Sequence, residues 1–312
     1  MEVLYFLESI RTPIVTEFMS AATYLGTQLV FLAIAIIVLW CVGKRQAYFI
    51  FVVSLAGTYI SQFLKLVFCI PRPWVLDPNF SIVESAREMA SGFSFPSGHT
   101  QGAVGAFGAI ALVTERRWVR VVCIIVILLV PFSRMYLGVH TPLDVGAGFL
   151  CAVAMLALFW PCFKNEDRFH ASMKYLLVVL SVTAVAFLIW VYVNAFPTNV
   201  DAENLTEGMK NAWSLLGCTL ALAISYFVDE KWLHFDVKAP LPGQILKVVL
   251  GLLLLLGIIQ GLKMLFIAIA GGALWTNAIR YGLAVIFACC IWPVTFPFFA
   301  RIGAREAEQG AE

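Results

Sequence analysis

The chain has 312 residues, a formal net charge of +2 and a mean hydropathy of +0.89, with 61% hydrophobic and 13% charged residues. Soluble globular domains carry about 25% charged residues, so an ordinary water-soluble globule is excluded. The net charge says nothing about nucleic acid, and no basic stripe suggests it as a partner.

Residues 1–27 lack the basic start of a signal peptide, and Glu2, Glu8 and Glu17 interrupt their apolar stretches. They are expected to form an interfacial helix lying on a membrane surface. Apolar runs then recur at about 28–43, 47–64, 101–114, 119–133, 143–163, 175–195, 212–228, 245–268 and 282–300, and a bilayer span needs roughly 17–25 such residues. The runs are continuously apolar and do not alternate as a membrane barrel requires. The expected fold is all-α: a polytopic membrane helical bundle of about nine transmembrane helices, two of them short, with the N-terminal interfacial helix. No linker, low-complexity tract or internal repeat is evident. The expected organisation is an interfacial segment (1–27), a core carrying the motifs (28–163), additional transmembrane helices (164–303) and a charged tail (304–312).

Most of the 21 basic residues fall in one set of loops: Lys44/Arg45, Arg116/Arg117/Arg120, Lys164/Arg168/Lys174, Lys231/Lys238/Lys247 and Arg301/Arg305. The positive-inside rule puts that set in the cytoplasm and the N-terminus outside. The loops 73–96 (Asp77, Glu84, Glu88) and 196–211 (Asp201, Glu203, Glu207) then face outward. The expected location is the plasma membrane, with the motifs on the extracytoplasmic face.

Three short polar stretches stand out, each at the end of an apolar run. The first is Lys65-x6-Arg72-Pro73, where a seven-residue separation, about two helical turns, lets one helix end aim both cations inward. The second is Pro96-Ser97-Gly98-His99 at the start of a run: Ser97 suits an N-cap, the helix start presents free N–H groups, and Gly98 permits close approach. The third is Ser133-Arg134-x5-His140-x3-Asp144, with Pro142 suited to an early helical position. A spacing of four puts His140 and Asp144 on one face of a helix.

Together these stretches fit a site that grips a phosphate. Lys65, Arg72 and Arg134 supply charge to its oxygens, the arginines in bidentate fashion. Asp144 holds one ring nitrogen of His140 so that the other attacks phosphorus, and His99 protonates the leaving oxygen and then serves the attacking water as base. Each piece alone has a plainer reading: membrane-boundary snorkelling for Lys65 and Arg72, a capped helix start with a spectator histidine at His99, a structural bond for His140–Asp144. The Gly98, Gly102, Gly105 and Gly108 series reads as helix packing. All eight cysteines lie in or beside apolar runs without a CxxC pair and read as small apolar residues. His170 and His234 are expected on cytoplasmic loops. Lys263 and Arg280 lie near the outer ends of late helices, as anchors or substrate contacts. No metal or other cofactor is called for.

The three stretches resemble the signature of the type 2 phosphatidic acid phosphatase and vanadium haloperoxidase superfamily: a lysine, six residues, Arg-Pro; Pro-Ser-Gly-His; Ser-Arg, five residues, His, three residues, Asp. Lys65 to Asp144 matches it without departure. The resemblance implies a helical core, metal-independent phosphatase activity and the roles given above for Lys65, Arg72, Ser97, Gly98, His99, Arg134, His140 and Asp144. The extra helices and Trp74-Val75-Leu76-Asp77 after Arg72-Pro73 are also similar to the glucose-6-phosphatases. The expected substrate is a phosphorylated lipid, such as phosphatidic acid or a polyprenyl diphosphate, with a soluble sugar phosphate as the alternative. A non-catalytic lipid or phosphate carrier on the same fold is the alternative of another class. Membrane lipids are the other expected contact, and nothing in the sequence speaks to an oligomer.

Overall fold

The computed structural model describes residues 1–198 and 200–302. The expected tail at 304–312 and Arg305 lie outside them. Among the described residues the regular elements are all helical: α1 (Glu2–Ser9), α2 (Pro13–Thr23), α3 (Gln28–Cys41), α4 (Lys44–Phe68), α5 (Pro73–Leu76), α6 (Gly98–Val113), α7 (Arg117–Tyr136), α8 (Pro142–Phe163), α9 (Glu166–Val193), α10 (Ala202–Val228), α11 (Leu241–Ala270), α12 (Thr276–Ile286) and α13 (Phe296–Arg301).

Each expected apolar run lies on a helix. Seven helical stretches are long and apolar enough to cross a bilayer, and α2 with its following turn joins α3, bent by 53°, as an eighth if the pair is one span. Helix α6, at 16 residues, and α3, at 14, are shorter than the seven. The chain is an integral membrane protein. Its N-terminal segment is two helices instead of one, because α1 stops at Ser9 and the chain restarts with Pro13 at the first helical position of α2.

The helices group into two compact units. The first comprises Met1–Leu32, Phe49–Asn165 and Trp190–Met209. Helix α6 packs against α7 and α8 there and is buried continuously from Thr100 to Ala109. Small residues permit this: a Cβ added at Gly102 would come within 2.5 Å of the Phe31 ring, and one at Gly108 within 2.5 Å of Leu156. The outward faces of α7 and α8 are apolar instead, with Val121, Ile125, Leu128, Leu150 and Leu158 exposed. That inversion of a soluble helix suits a hydrocarbon surround, where close packing of small residues drives association.

The second unit comprises Ala33–Tyr48, Glu166–Ile189 and the chain from Lys210 onward. Trp40 anchors it, donating its indole N–H to the Ala288 carbonyl at 2.8 Å and packing on Trp292 and Phe296. Lys247, expected on a charged loop, instead lies within α11 and is completely buried. Its ammonium donates to the carbonyls of Trp40 (2.7 Å) and Val237 (3.0 Å) and sits 4.3 Å from the centre of the Phe296 ring. Lys44 pairs with the buried Asp229 at 2.7 Å. His234 is exposed on the turn after Asp229–Leu233, as expected, whereas His170 belongs to α9 and faces Glu230 at 3.6 Å.

Candidate active site

All eight candidate residues belong to the first unit. Lys65 sits in the last turn of α4, buried, and its ammonium donates to the Phe93 carbonyl. The helix then ends: Cys69 takes a positive φ of 47°, and Arg72 is the extended residue capping α5. Lys65 and Arg72 are therefore not aimed by one helix end. The break gives Arg72 a separate approach, and three carbonyls grip its guanidinium: Gly92 on Nε (3.0 Å), Ser91 on Nη2 (2.8 Å) and Val139 on Nη1 (3.0 Å). Such a grip fixes the planar group at the cost of most of its donors.

Ser97 caps α6 as expected, its hydroxyl accepting from the Thr100 amide (3.4 Å) and hydroxyl (3.0 Å). Its own amide donates to the Asp144 carbonyl at 2.9 Å, which ties the starts of α6 and α8 together. Gly98 differs from the other glycines of the series. The nearest atom to a Cβ built there is the Ser61 hydroxyl at 3.9 Å, so its neighbourhood is open.

Thr141 caps α8 with Pro142 at the first helical position, and a reciprocal capping box forms: the Thr141 hydroxyl accepts from the Asp144 amide (3.2 Å) while Asp144 Oδ2 accepts from the Thr141 amide (2.7 Å). His140 thus precedes the helix. Its closeness to Asp144 comes from the cap, not from helical periodicity, and Nδ1 stands 3.6 Å from Oδ2, beyond hydrogen-bond distance. Ser94 fills the gap, donating to Asp144 Oδ2 at 2.7 Å with its oxygen 3.5 Å from His140 Nδ1. Arg72 Nη1 lies 2.8 Å from Nε2 and 3.4 Å from Nδ1 of the same ring. A guanidinium can only donate, so the shorter contact favours the lone pair on Nε2, with the ring proton on Nδ1 toward Ser94 and Asp144. Burial first, then the charges of Arg72, Arg134 and Lys65, hold the His140 imidazole well below its ordinary value of 6.5.

Arg134 is completely buried in the last turn of α7. One nitrogen, Nη1, donates to the Thr23 hydroxyl at 2.7 Å; Nε and Nη2 have no partner. Buried without a partner too are His99 Nε2, the Ser61 hydroxyl and the Gln101 amide nitrogen. An orphaned buried donor costs about 1–3 kcal/mol, more when charged, and each one asks for an explanation, of which a bound ion is one. The Arg134 carbonyl accepts from the Val139 amide (3.1 Å), linking the α7 end to the loop that carries His140.

Sequence reasoning passed over Ser94, Thr23, Ser61 and Gln101. Ser61 and Gln101 carried a weak signal, since polar residues deep in apolar runs mark function or packing by default. Ser94 and Thr23 gave none. Their partners are 50 and 111 positions away.

Residues 46–168 match the family described as the PAP2 superfamily, and residues 213–305 match the PAP2 superfamily phosphatase transmembrane extension. The chain is 27% identical over 270 residues to sphingosine-1-phosphate phosphatase 1 of Mus musculus, covering 80% of this chain and 60% of the relative. It is 30% identical over 132 residues to undecaprenyl-diphosphatase BcrC of Bacillus subtilis, covering 41% of this chain and 65% of that protein. Phosphatidylglycerophosphatase B of the same bacterium is 27% identical over 179 residues, 52% of this chain and 81% of its own length. The chain thus spans less than two thirds of the first two relatives. No solved structure matches it. The shared sequence covers the core that carries the buried donors and the later helices alike, and the chain belongs to the PAP2 superfamily.

Proposed function

We propose that the protein is a metal-independent integral membrane phosphatase of lipid phosphates or diphosphates, acting through a phosphohistidine at His140. One observation carries the reading: the neutral imidazole of His140, its proton directed to Ser94 and Asp144, lies beside a guanidinium, while the buried donors of Arg134 and His99 lack partners. Phosphoryl transfer asks a protein chiefly for positioning and charge. A phosphate oxygen that takes the Nη1 N–H of Arg72 releases the lone pair of His140 Nε2. Nε2 attacks phosphorus, the P–N bond forms, the P–O ester bond breaks, and His99 gives its proton to the leaving oxygen. Water then attacks phosphorus, losing its proton to His99, and the P–N bond breaks to release phosphate. Arg134, Lys65, Ser97 and the amides at Gly98 hold the equatorial oxygens.

Lipid substrates are favoured because the relatives' names specify a sphingoid phosphate, an undecaprenyl diphosphate and phosphatidylglycerophosphate, all lipids. Purified protein in detergent, offered a panel of lipid and sugar phosphates, tests this. The expected result is phosphate release from lipid substrates that persists in excess chelator. Preference for sugar phosphates would make the site a soluble-ester phosphatase, and no release from any substrate would favour a carrier.

The charge distribution supports a catalytic face outside a plasma membrane. In a cysteine-free background with activity retained, Asn79→Cys is expected to react with an impermeant thiol reagent in intact cells, and Asn165→Cys only after permeabilisation. The reverse order would place the site on the cytoplasmic side.

A further inference from the structure

The matched superfamily domain begins at residue 46, yet the residues that hold Arg134 come from before it. We propose that the N-terminal segment 11–26 is a working part of the active site, with Thr23 as the positioning residue that aims the Arg134 guanidinium at the phosphate. The inference rests on the phosphatase reading and adds a residue to it.

Thr23 is completely buried at the end of α2, and its hydroxyl is the only protein group that receives a side-chain hydrogen bond from Arg134 among the described residues. Contrast Arg72, whose plane is fixed by three carbonyls. One hydrogen bond at Nη1 leaves Nε and Nη2, which share an edge of the guanidinium, both available. That edge is the one able to grip a phosphate in bidentate fashion. The Thr23 bond therefore selects which edge faces the ligand.

Three further contacts hold the segment in register with the site. Gly26 lies against the backbone of His99 and against Val130, one turn before Arg134: a Cβ there would stand 2.9 Å from the His99 carbonyl oxygen and 2.7 Å from Val130 Cγ1. Arg11 Nε donates to the Tyr136 carbonyl at 3.0 Å and Nη1 to the Ser81 carbonyl at 2.8 Å. The Tyr136 hydroxyl accepts from the Thr12 amide at 3.2 Å and lies 3.3 Å from the Thr16 hydroxyl. The segment thus clamps the end of α7 on both sides of Arg134 and rests on His99, touching two of the residues that act on the phosphate.

Thr23→Val keeps the shape and removes the acceptor, and Thr23→Ser keeps the acceptor. Orthovanadate binding to the purified protein is the first readout, since it needs the anion site but no turnover. Thr23→Val is expected to weaken it about tenfold and to lower kcat more than it raises KM, at an unchanged thermal midpoint, with Thr23→Ser restoring most of both. In an Arg134→Ala background Thr23→Val should have no further effect on either, because its role passes through that side chain. Wild-type affinity and rate in Thr23→Val would overturn the inference and leave the phosphatase reading standing. So would an equal loss in the Arg134→Ala background, which marks a purely structural role. Vanadate binding without hydrolysis of any substrate would sink the phosphatase reading but not the aiming of Arg134, and no vanadate binding by the wild type would overturn both.

Discussion

Arg134 and Lys247 are both cations with no exposed surface, one in each compact unit, and they are solved in opposite ways. Lys247 has two carbonyls and an aromatic face around its ammonium. Arg134 has one hydroxyl and two orphaned nitrogens. A buried charge is tolerated only when its partners replace water. Lys247 has found them inside the protein and serves as a clasp between Trp40 on α3 and the Val237 stretch before α11. Arg134 has not, and the most economical partner is an anion that comes and goes. Arg72 stands between the two cases, gripped by carbonyls but with one N–H on the nitrogen of His140.

Substitutions sharpen that contrast, and the largest effect is expected at the nucleophile. His140→Ala should abolish turnover, a loss of at least about 10³-fold, with the thermal midpoint retained, because no other side chain here can take over a covalent step; recovery of half the wild-type rate would remove the phosphohistidine route. Arg134→Ala should follow with about 10²–10³-fold in kcat, as for a fixed donor at an anionic transition state. An unchanged rate would make Arg134 a structural cation and erase its difference from Lys247. Ser94→Ala should slow turnover by about tenfold by leaving the Nδ1 proton of His140 without its link to Asp144, in line with the roughly 1.5 kcal/mol of a hydrogen bond to a charged group. Lys247→Met should do the converse: the Trp40 and Val237 carbonyls lose a donor, stability falls by about 1–3 kcal/mol, and kcat per folded molecule stays as it was. A loss of kcat there would show that the second unit shares in the chemistry.

The pH dependence gives a smaller test. Because burial and three cations disfavour the charged imidazole, His140 stays neutral until the pH falls well under 6.5. The acid limb of kcat/KM, after correction for the substrate's own ionisation, should therefore lie below pH 6.5. A limb above that value would mean that His140 carries its proton through the neutral range.

Much of the helical layout and of the site was legible in the residues. Continuous apolar runs have one solution in a bilayer, since backbone groups must be satisfied within the segment, and each run lies on a helix. Ser97 at a helix start and Pro142 at an early helical position are local signals, and α6 and α8 begin as those signals direct. The geometry between neighbours was less legible. A separation of seven from Lys65 to Arg72 suggested one helix, but a positive φ at Cys69 ends it. A spacing of four from His140 to Asp144 suggested a shared helical face, but the cap at Thr141 falls between them.

By itself the sequence determined that this is an all-helical membrane protein, that Ser97 caps α6 and Pro142 opens α8, and which polar residues make up the candidate site. Those follow from hydrophobic length, capping chemistry and motif spacing, all of which act over a few residues. Tertiary structure alone decided which nitrogen of His140 is free, that Ser94 bridges it to Asp144, that Lys247 is a clasp, and that Thr23 holds Arg134. Each of these depends on a bond between groups remote in sequence, and such a bond leaves no periodicity or spacing to read: its donors and acceptors meet only when the helices pack.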